Sequence, residues 1–240
     1  LAIRLMHAAG IPKTILHCVA GSGEHVGRHL CAHANIDGIV FTGGWETARS
    51  IQQQLALREG AMIPLIAETA GINALIADSS AQPQQLVNDV LRSAFDSAGQ
   101  RCSALRVVLL PETSADAIEE LLCGAMRELR LGDPLDCSTD IGPVIDTDAK
   151  NNLANYLSEH ASSIAFQLPI PAAGNFVPPT LLRLNNIGEL KREAFGPILH
   201  IVRYRESAID QLIDDINALG YGLTCGIHSR NSQRAQQFAQ

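Results

Sequence analysis

The sequence predicts an α/β protein built on parallel strands. Strand-like and helix-like segments alternate along most of the 240 residues, which is the rhythm of βαβ units. The apolar runs Ile39-Val40-Phe41 and Ile63-Pro64-Leu65-Ile66 are short and bounded by Gly or polar residues, as strands covered on both faces by helices should be. Glycine pairs also stand where a strand turns into a helix, at Gly21-Ser22-Gly23 and Gly43-Gly44.

Taken in order, Leu1 to Ala9 reads as an amphipathic helix without a cap, and Thr14 to Ala20 as a strand. A helix from about Glu24 to Ala34, a strand from Gly38 to Thr42, a helix from Trp45 to Arg58 and a strand from Ile63 to Ala67 complete a Rossmann-type, doubly wound half. A boundary then falls near Glu68 to Gly71, which would set groups on either side of it at a cleft. Beyond it come a strand at Asn73 to Ala77, a helix at Gln84 to Ala98, a strand at Leu105 to Pro111 and a helix at Ala115 to Arg130. The segment Gly132 to Thr147, rich in Gly, Pro and Asp, is irregular. A helix near Ala149 to His160 and a loop from Leu168 to Asn175 follow. The last elements are strands at Pro179 to Leu184 and Ile198 to Tyr204, a helix at Ser207 to Ala218, a strand at Leu223 to Ser229 and a helix from Ser232 that runs into the last residue. Both ends lie inside helical patterns, as in a fragment of a longer chain.

With 46% hydrophobic and 18% charged residues the chain can build a proper core. A net charge of −7 and the absence of a basic run argue against nucleic acid as a partner. No apolar stretch reaches the length of a membrane span, and no leader peptide is visible, so a cytoplasmic protein is expected. The six cysteines, at 18, 31, 102, 123, 137 and 225, form no CxxC pair and have no His at ligand spacing, so neither zinc nor a disulfide framework is expected.

Five of those cysteines read as small buried hydrophobes, with Cys18 inside a strand. Cys102 differs, because it follows Gly99-Gln100-Arg101 and precedes an apolar run, and an adjacent Arg with nearby backbone amides suits a reactive sulfur. Glu68 ends an apolar run at a Gly-bearing turn, where a carboxylate can serve as general base; equally, it can cap the next element or pair with an Arg. Gly43-Gly44-Trp45 follows a strand and opens a helix, which suits a pyrophosphate or is merely a tight turn.

Four separated motifs, Phe41-Thr42-Gly43, Ala67-Glu68-Thr69, Phe95 through Ala104 and Glu193-Ala194-Phe195-Gly196-Pro197, together resemble the aldehyde dehydrogenase superfamily in order and spacing. Asp78-Ser79-Ser80, Phe95 through Arg106, Ser138 through Asp146 and Gly220 through Thr224 are similar to the Δ1-pyrroline-5-carboxylate dehydrogenase domain of the bifunctional proline utilization A enzymes. The resemblance covers essentially the whole chain. It implies an aldehyde dehydrogenase-like fold, with residues 1–70 as the C-terminal half of a dinucleotide-binding domain and residues 71–240 as a thiol-bearing catalytic domain that lacks its C-terminal part.

The resemblance also implies a reaction: Cys102 attacks the aldehyde carbon of glutamate semialdehyde, and Glu68 activates the water that hydrolyses the resulting thioester. The Cys102 amide would be one oxyanion donor; the family's second donor, an Asn, would precede Leu1. Gly43, Gly44 and Trp45 would meet the cofactor, Glu193 would hold the nicotinamide ribose, Phe195 would pack beside the ring, and Ser103 would bind the substrate carboxylate. The cofactor implied is NAD, with NADP left open. A fused proline dehydrogenase domain and a homo-oligomer are implied for the full protein. The isolated chain is expected to have little or no dehydrogenase activity.

Three departures stand out. Gly44 and Trp45 replace a Ser-Thr pair, removing a hydroxyl expected at the pyrophosphate. Ala70 and Ile72 stand where relatives have Gly and Gln, and a methyl group at residue 70 would be strained if φ there were positive. The segment before Asn175 is shorter than in the relatives. These features suggest a rival, a non-catalytic module kept for assembly. A cysteine hydrolase is a third reading, which would need His200 or His228 as its base.

Overall fold

The computed structural model describes residues 1–238. The chain separates into two compact units, Leu1–Ala70 and Gly71–Gln240.

The first unit holds helices α1 (Ala2–Ala8) and α2 (Arg28–Ala32), strand β1 (Ile39–Thr42), helix α3 (Trp45–Ala56) and strand β2 (Leu65–Glu68). A wide π turn at Gly23–Gly27 leads into α2, with the Ser22 side chain accepting from the His25 amide. β1 and β2 pair in parallel, Thr42 opposite Glu68, so both strands end together. The strand expected at Thr14 to Ala20 does not form. No ladder partner reaches it, Ile15 and Val19 are exposed, and the Leu16 carbonyl bonds the His7 ring instead. Nor are β1 and β2 covered on both faces, since Val40 is 78% and Ile66 58% exposed.

The second unit is a six-stranded sheet in the order β5-β6-β7-β4-β3-β8. Its strands are β3 (Asn73–Ala77), β4 (Leu105–Pro111), β5 (Ile164–Gln167), β6 (Thr180–Leu184), β7 (Ile198–Tyr204) and β8 (Cys225–His228). All neighbours are parallel except β5 and β6. The short edge strand β5 is missed by pattern reading, because its residues are mostly exposed and show no apolar run.

Every residue of β3 and β4 is buried, and alternate side chains feed two cores. Leu75, Ala77, Val108 and Leu110 pack with helices α4 (Pro83–Phe95), α5 (Ala115–Arg127) and α6 (Thr147–Glu159) through Leu86, Val90, Ile118, Leu122 and Leu153. Ala74, Ile76, Val107 and Leu109 pack on the other face with Leu212 and Ile216 of α7 (Ile209–Ala218) and Phe238 of α8 (Ser232–Phe238). The helical pattern expected beyond Phe238 lies outside the described residues.

Two buried charge clusters tie the layers together. Asp78 takes bonds from the Ser80 amide and hydroxyl and from the Ser229 hydroxyl, which joins the ends of β3 and β8. Burial alone would raise its pKa, but those bonds and the Arg234 charge hold it below the ordinary value. Glu119 of α5 pairs with Arg183 of β6 and Arg203 of β7. No helix among the described residues is long and apolar enough to cross a membrane.

Candidate active site

The thiol at residue 102 is presented by an unusual turn. Helix α4 ends at Phe95, and Ser97, Ala98 and Gly99 follow with φ of 56°, 54° and 66°. Three left-handed residues in a row reverse the chain so that Arg101, Cys102 and Ser103 emerge exposed while Ala98, Gly99 and Ala104 are buried. Left-handed Ser and Ala are costly, so the surroundings must hold them. Gln100 does so, taking the Ile145 amide at 2.8 Å on its side-chain oxygen and donating to the Ser97 carbonyl at 3.2 Å. Arg101 Nε adds a bond to the Ser97 hydroxyl at 3.0 Å.

Beneath the turn lies Arg106, 1% exposed. It occupies a bulge at the start of β4, because Asn73 and Ala74 of β3 pair with Leu105 and Val107, skipping one residue. A bulge re-aims a side chain. Here the extra residue's guanidinium donates to Glu193 Oε1 from Nε at 3.0 Å and from a terminal nitrogen at 2.8 Å. Its other bonds go to the carbonyls of Gly99 at 2.7 Å, Arg101 at 3.1 Å and Gly196 at 3.3 Å. The Arg106 carbonyl meets His200 Nδ1 at 2.7 Å, and His200 Nε2 meets the Tyr156 hydroxyl at 2.9 Å. Burial pushes the His200 pKa down to about 4, so the ring is neutral, with Nδ1 the donor to the carbonyl and Nε2 the acceptor.

Glu193, to which the family resemblance gives the ribose, sits in the same cluster, with its second oxygen accepting the Gly71 amide at 3.2 Å. Phe195, two residues on, has its ring 5.1 Å from the Arg106 guanidinium and 46% exposed. Asn73 completes the arrangement, donating to the carbonyls of Cys102 at 2.7 Å and Ala104 at 2.8 Å and accepting from the Thr224 amide. The second unit therefore gathers Cys102, Glu193 and Phe195 around a buried arginine and asparagine at the amino ends of β3, β4 and β7.

In the first unit, Glu68 and Gly43 stand side by side at the carboxyl ends of the two strands, the Gly43 amide donating to the Glu68 carbonyl at 3.1 Å. The Glu68 side chain is exposed. A Cβ at residue 43 would lie 2.5 Å from the Phe41 ring, whereas one at Gly44 would meet nothing. No side chain caps the N-terminus of α3, where Trp45 is 58% exposed. The condition for strain at Ala70 is not met, since Ser97 and Ala98 are the described non-glycine residues with positive φ.

Residues 1–240 match the aldehyde dehydrogenase family. The chain belongs to that family. It is 45% identical, over 98% of its length, to the bifunctional protein PutA of Klebsiella aerogenes and 46% identical, over 95%, to that of Rhizobium meliloti. In each case it spans 19% of the relative's length. A crystal structure of a Bradyrhizobium japonicum proline utilization A variant superposes with a TM-score of 0.96 at 47% identity, over 99% of this chain and 24% of that one. A point mutant of betaine aldehyde dehydrogenase from Staphylococcus aureus in complex with NAD+ gives 0.90 at 28% identity, over 98% of this chain and 49% of that one. The expected family and fold class are thus both correct.

Other expectations need correction. Cys31 is buried and Cys123 partly so, but Cys18, Cys137 and Cys225 are exposed, and Cys18 lies in no strand, because the segment around it never pairs. The histidines a hydrolase would need are engaged elsewhere: both nitrogens of His200 are used, and His228 faces Asp89 at 3.3 Å. Sequence reasoning gave no role to Arg106 or Asn73. The signal was a polar residue set inside an otherwise apolar strand, which must find partners once buried.

Proposed function

We propose that this chain carries the thiol and part of the nucleotide site of an NAD-dependent aldehyde dehydrogenase that oxidises glutamate semialdehyde, formed from Δ1-pyrroline-5-carboxylate, to glutamate in proline catabolism. The observation that carries the reading is the exposed Cys102 on its left-handed turn, backed by Arg106 and Glu193. Similarity to bifunctional PutA supports the substrate and a proline dehydrogenase domain elsewhere in the full-length protein.

Each unit separately carries residues that suit one part of a dinucleotide. Gly43 and Gly44 leave bare backbone at the uncapped N-terminus of α3, which suits a phosphate. Glu193 Oε2 takes one bond, keeping a lone pair for a ribose hydroxyl, and the half-exposed Phe195 offers a face to a flat ring. When bound, the nicotinamide supplies the hydride acceptor. NAD rather than NADP is part of the proposal.

In this reading Cys102 Sγ adds to the aldehyde carbon, and the carbonyl oxygen becomes an alkoxide held in part by the Cys102 amide. With a nicotinamide bound to accept the hydride from that carbon, the acyl group left on Cys102 would be a thioester. Glu68 accepts a proton from water, whose oxygen adds to the acyl carbon; the C–S bond breaks and the thiolate returns. Ser103 binds the substrate carboxylate. A homo-oligomeric, cytoplasmic enzyme is proposed for the full-length protein, and the 240-residue chain alone is proposed to have little activity, since its first sheet has two strands with exposed apolar residues.

The test is NAD reduction by the full-length protein with Δ1-pyrroline-5-carboxylate. Wild type should turn over and Cys102→Ala should not, while binding NAD as before; turnover by the variant removes the assignment.

A further inference from the structure

Of the groups that neither the fold nor the proposed chemistry explains, Arg106 is the most demanding. A guanidinium has five N–H donors. All five are matched here by five acceptor contacts: two to Glu193 Oε1 and one each to the carbonyls of Gly99, Arg101 and Gly196. Burial alone would lower its pKa, and the adjacent Glu193 carboxylate works against that, as does a charge on Cys102. The two carbonyls at 99 and 101 bracket the turn that leads to the thiol, and the carbonyl at 196 belongs to the Glu193-Phe195 loop.

We propose that Arg106 is a positioning residue that locks the Cys102 turn and the Glu193-Phe195 loop into one unit. This rests on the reading of Cys102 as nucleophile and Glu193 as ribose ligand. The chain segments it joins are remote in sequence, and they also touch backbone to backbone where Gly99 meets Gly196, but that contact carries no hydrogen bond that would orient the Glu193 carboxylate. Lysine could not substitute, because a point ammonium offers three donors and no planar fork, so either the carboxylate or the carbonyls of the turn would be released. The bulge at the start of β4 and the Arg106 carbonyl bond to His200 keep the side chain aimed at the turn.

The experiment compares Arg106→Lys, Glu193→Gln and the double variant in the full-length protein, reading the NAD dissociation constant by calorimetry and the rate of Cys102 alkylation by iodoacetamide. The two single variants should each weaken NAD by about tenfold, and the double variant scarcely more than either, because both break the same link. Arg106→Lys should also change Cys102 alkylation by at least threefold, with Glu193→Gln staying near wild type. A purely structural arginine would lower the melting temperature and leave both readouts alone. A folded Arg106→Lys within twofold of wild type in both measurements overturns the proposal, as does an additive cycle. If Glu193→Gln binds NAD normally, the ribose assignment falls, and the alkylation arm still decides whether Arg106 holds the thiol turn. Should Arg106→Lys not fold, Arg106→Gln/Glu193→Gln removes both charges together and avoids a lone buried ion. Alkylation equal to that of Glu193→Gln alone would then overturn the proposal.

Discussion

Gly99 lies so close to Gly196 that a Cβ on the first would overlap the carbonyl oxygen of the second. The thiol turn and the Glu-x-Phe-Gly loop thus touch backbone to backbone, and the left-handed φ of 66° at Gly99 adds a second reason for glycine. Gly99→Ala should cost about 1–2 kcal/mol for the backbone and a further 1–3 kcal/mol or so for the overlap. Thermal unfolding of the full-length protein checks this. A midpoint unchanged within a degree would mean that the two loops separate easily.

The pH dependence of stability should carry the mark of His200. Its pKa is near 4 in the folded state and near 6.5 when unfolded, so the folded state resists a proton that the unfolded chain accepts. The stability this contributes is complete above about pH 6.5 and is lost as pH falls toward 4. The full effect is on the order of 3 kcal/mol. Replacing His200 by Gln, which can still donate to the Arg106 carbonyl, should flatten the fall between pH 6.5 and 4.5 in urea titrations; an undiminished slope would assign the acid sensitivity elsewhere.

Glu68→Gln separates the two halves of the proposed reaction. The full-length variant should release one equivalent of NADH per Cys102 in a burst and then stall, with steady-state turnover reduced about 10²–10⁴-fold, the usual range for loss of a general base. Steady turnover at the wild-type rate would return Glu68 to a purely structural part at the end of β2.

Trp45 reports on the first unit, because it is the one tryptophan of the chain, stands at the first position of α3, and is 58% exposed. Titrating NAD into the 240-residue chain should change its fluorescence saturably if the Gly43-Gly44 turn receives a phosphate. A flat titration would favour the rival reading, a module without cofactor binding.

Much of this molecule follows from local pattern. The strands Asn73–Ala77, Leu105–Pro111 and Ile198–Tyr204 have the ends read from their apolar runs, since a strand buried on both faces can hold little else. Helices α3 to α7 were equally legible, with boundary errors of a few residues at frayed or tightened ends. Cys102 stands out locally because a glycine turn and an arginine precede it, whereas Glu193 was reached only through the family motif that contains it. Local pattern misjudged Thr14 to Ala20, where apolar residues had no partner to pair with, and it missed β5 and the exposed faces of β1 and β2.

Tertiary structure alone decided how the site is held. No pattern reveals that β4 begins with a bulge at Arg106, that its guanidinium reaches Glu193 87 positions away, or that His200 satisfies the carbonyl the bulge leaves over. The physical reason is that backbone preference and hydrophobic burial act on neighbours along the chain, and so leave a trace in the order of residues. A buried charge chooses partners only among the groups that folding brings within about 3 Å, and that choice is made in space.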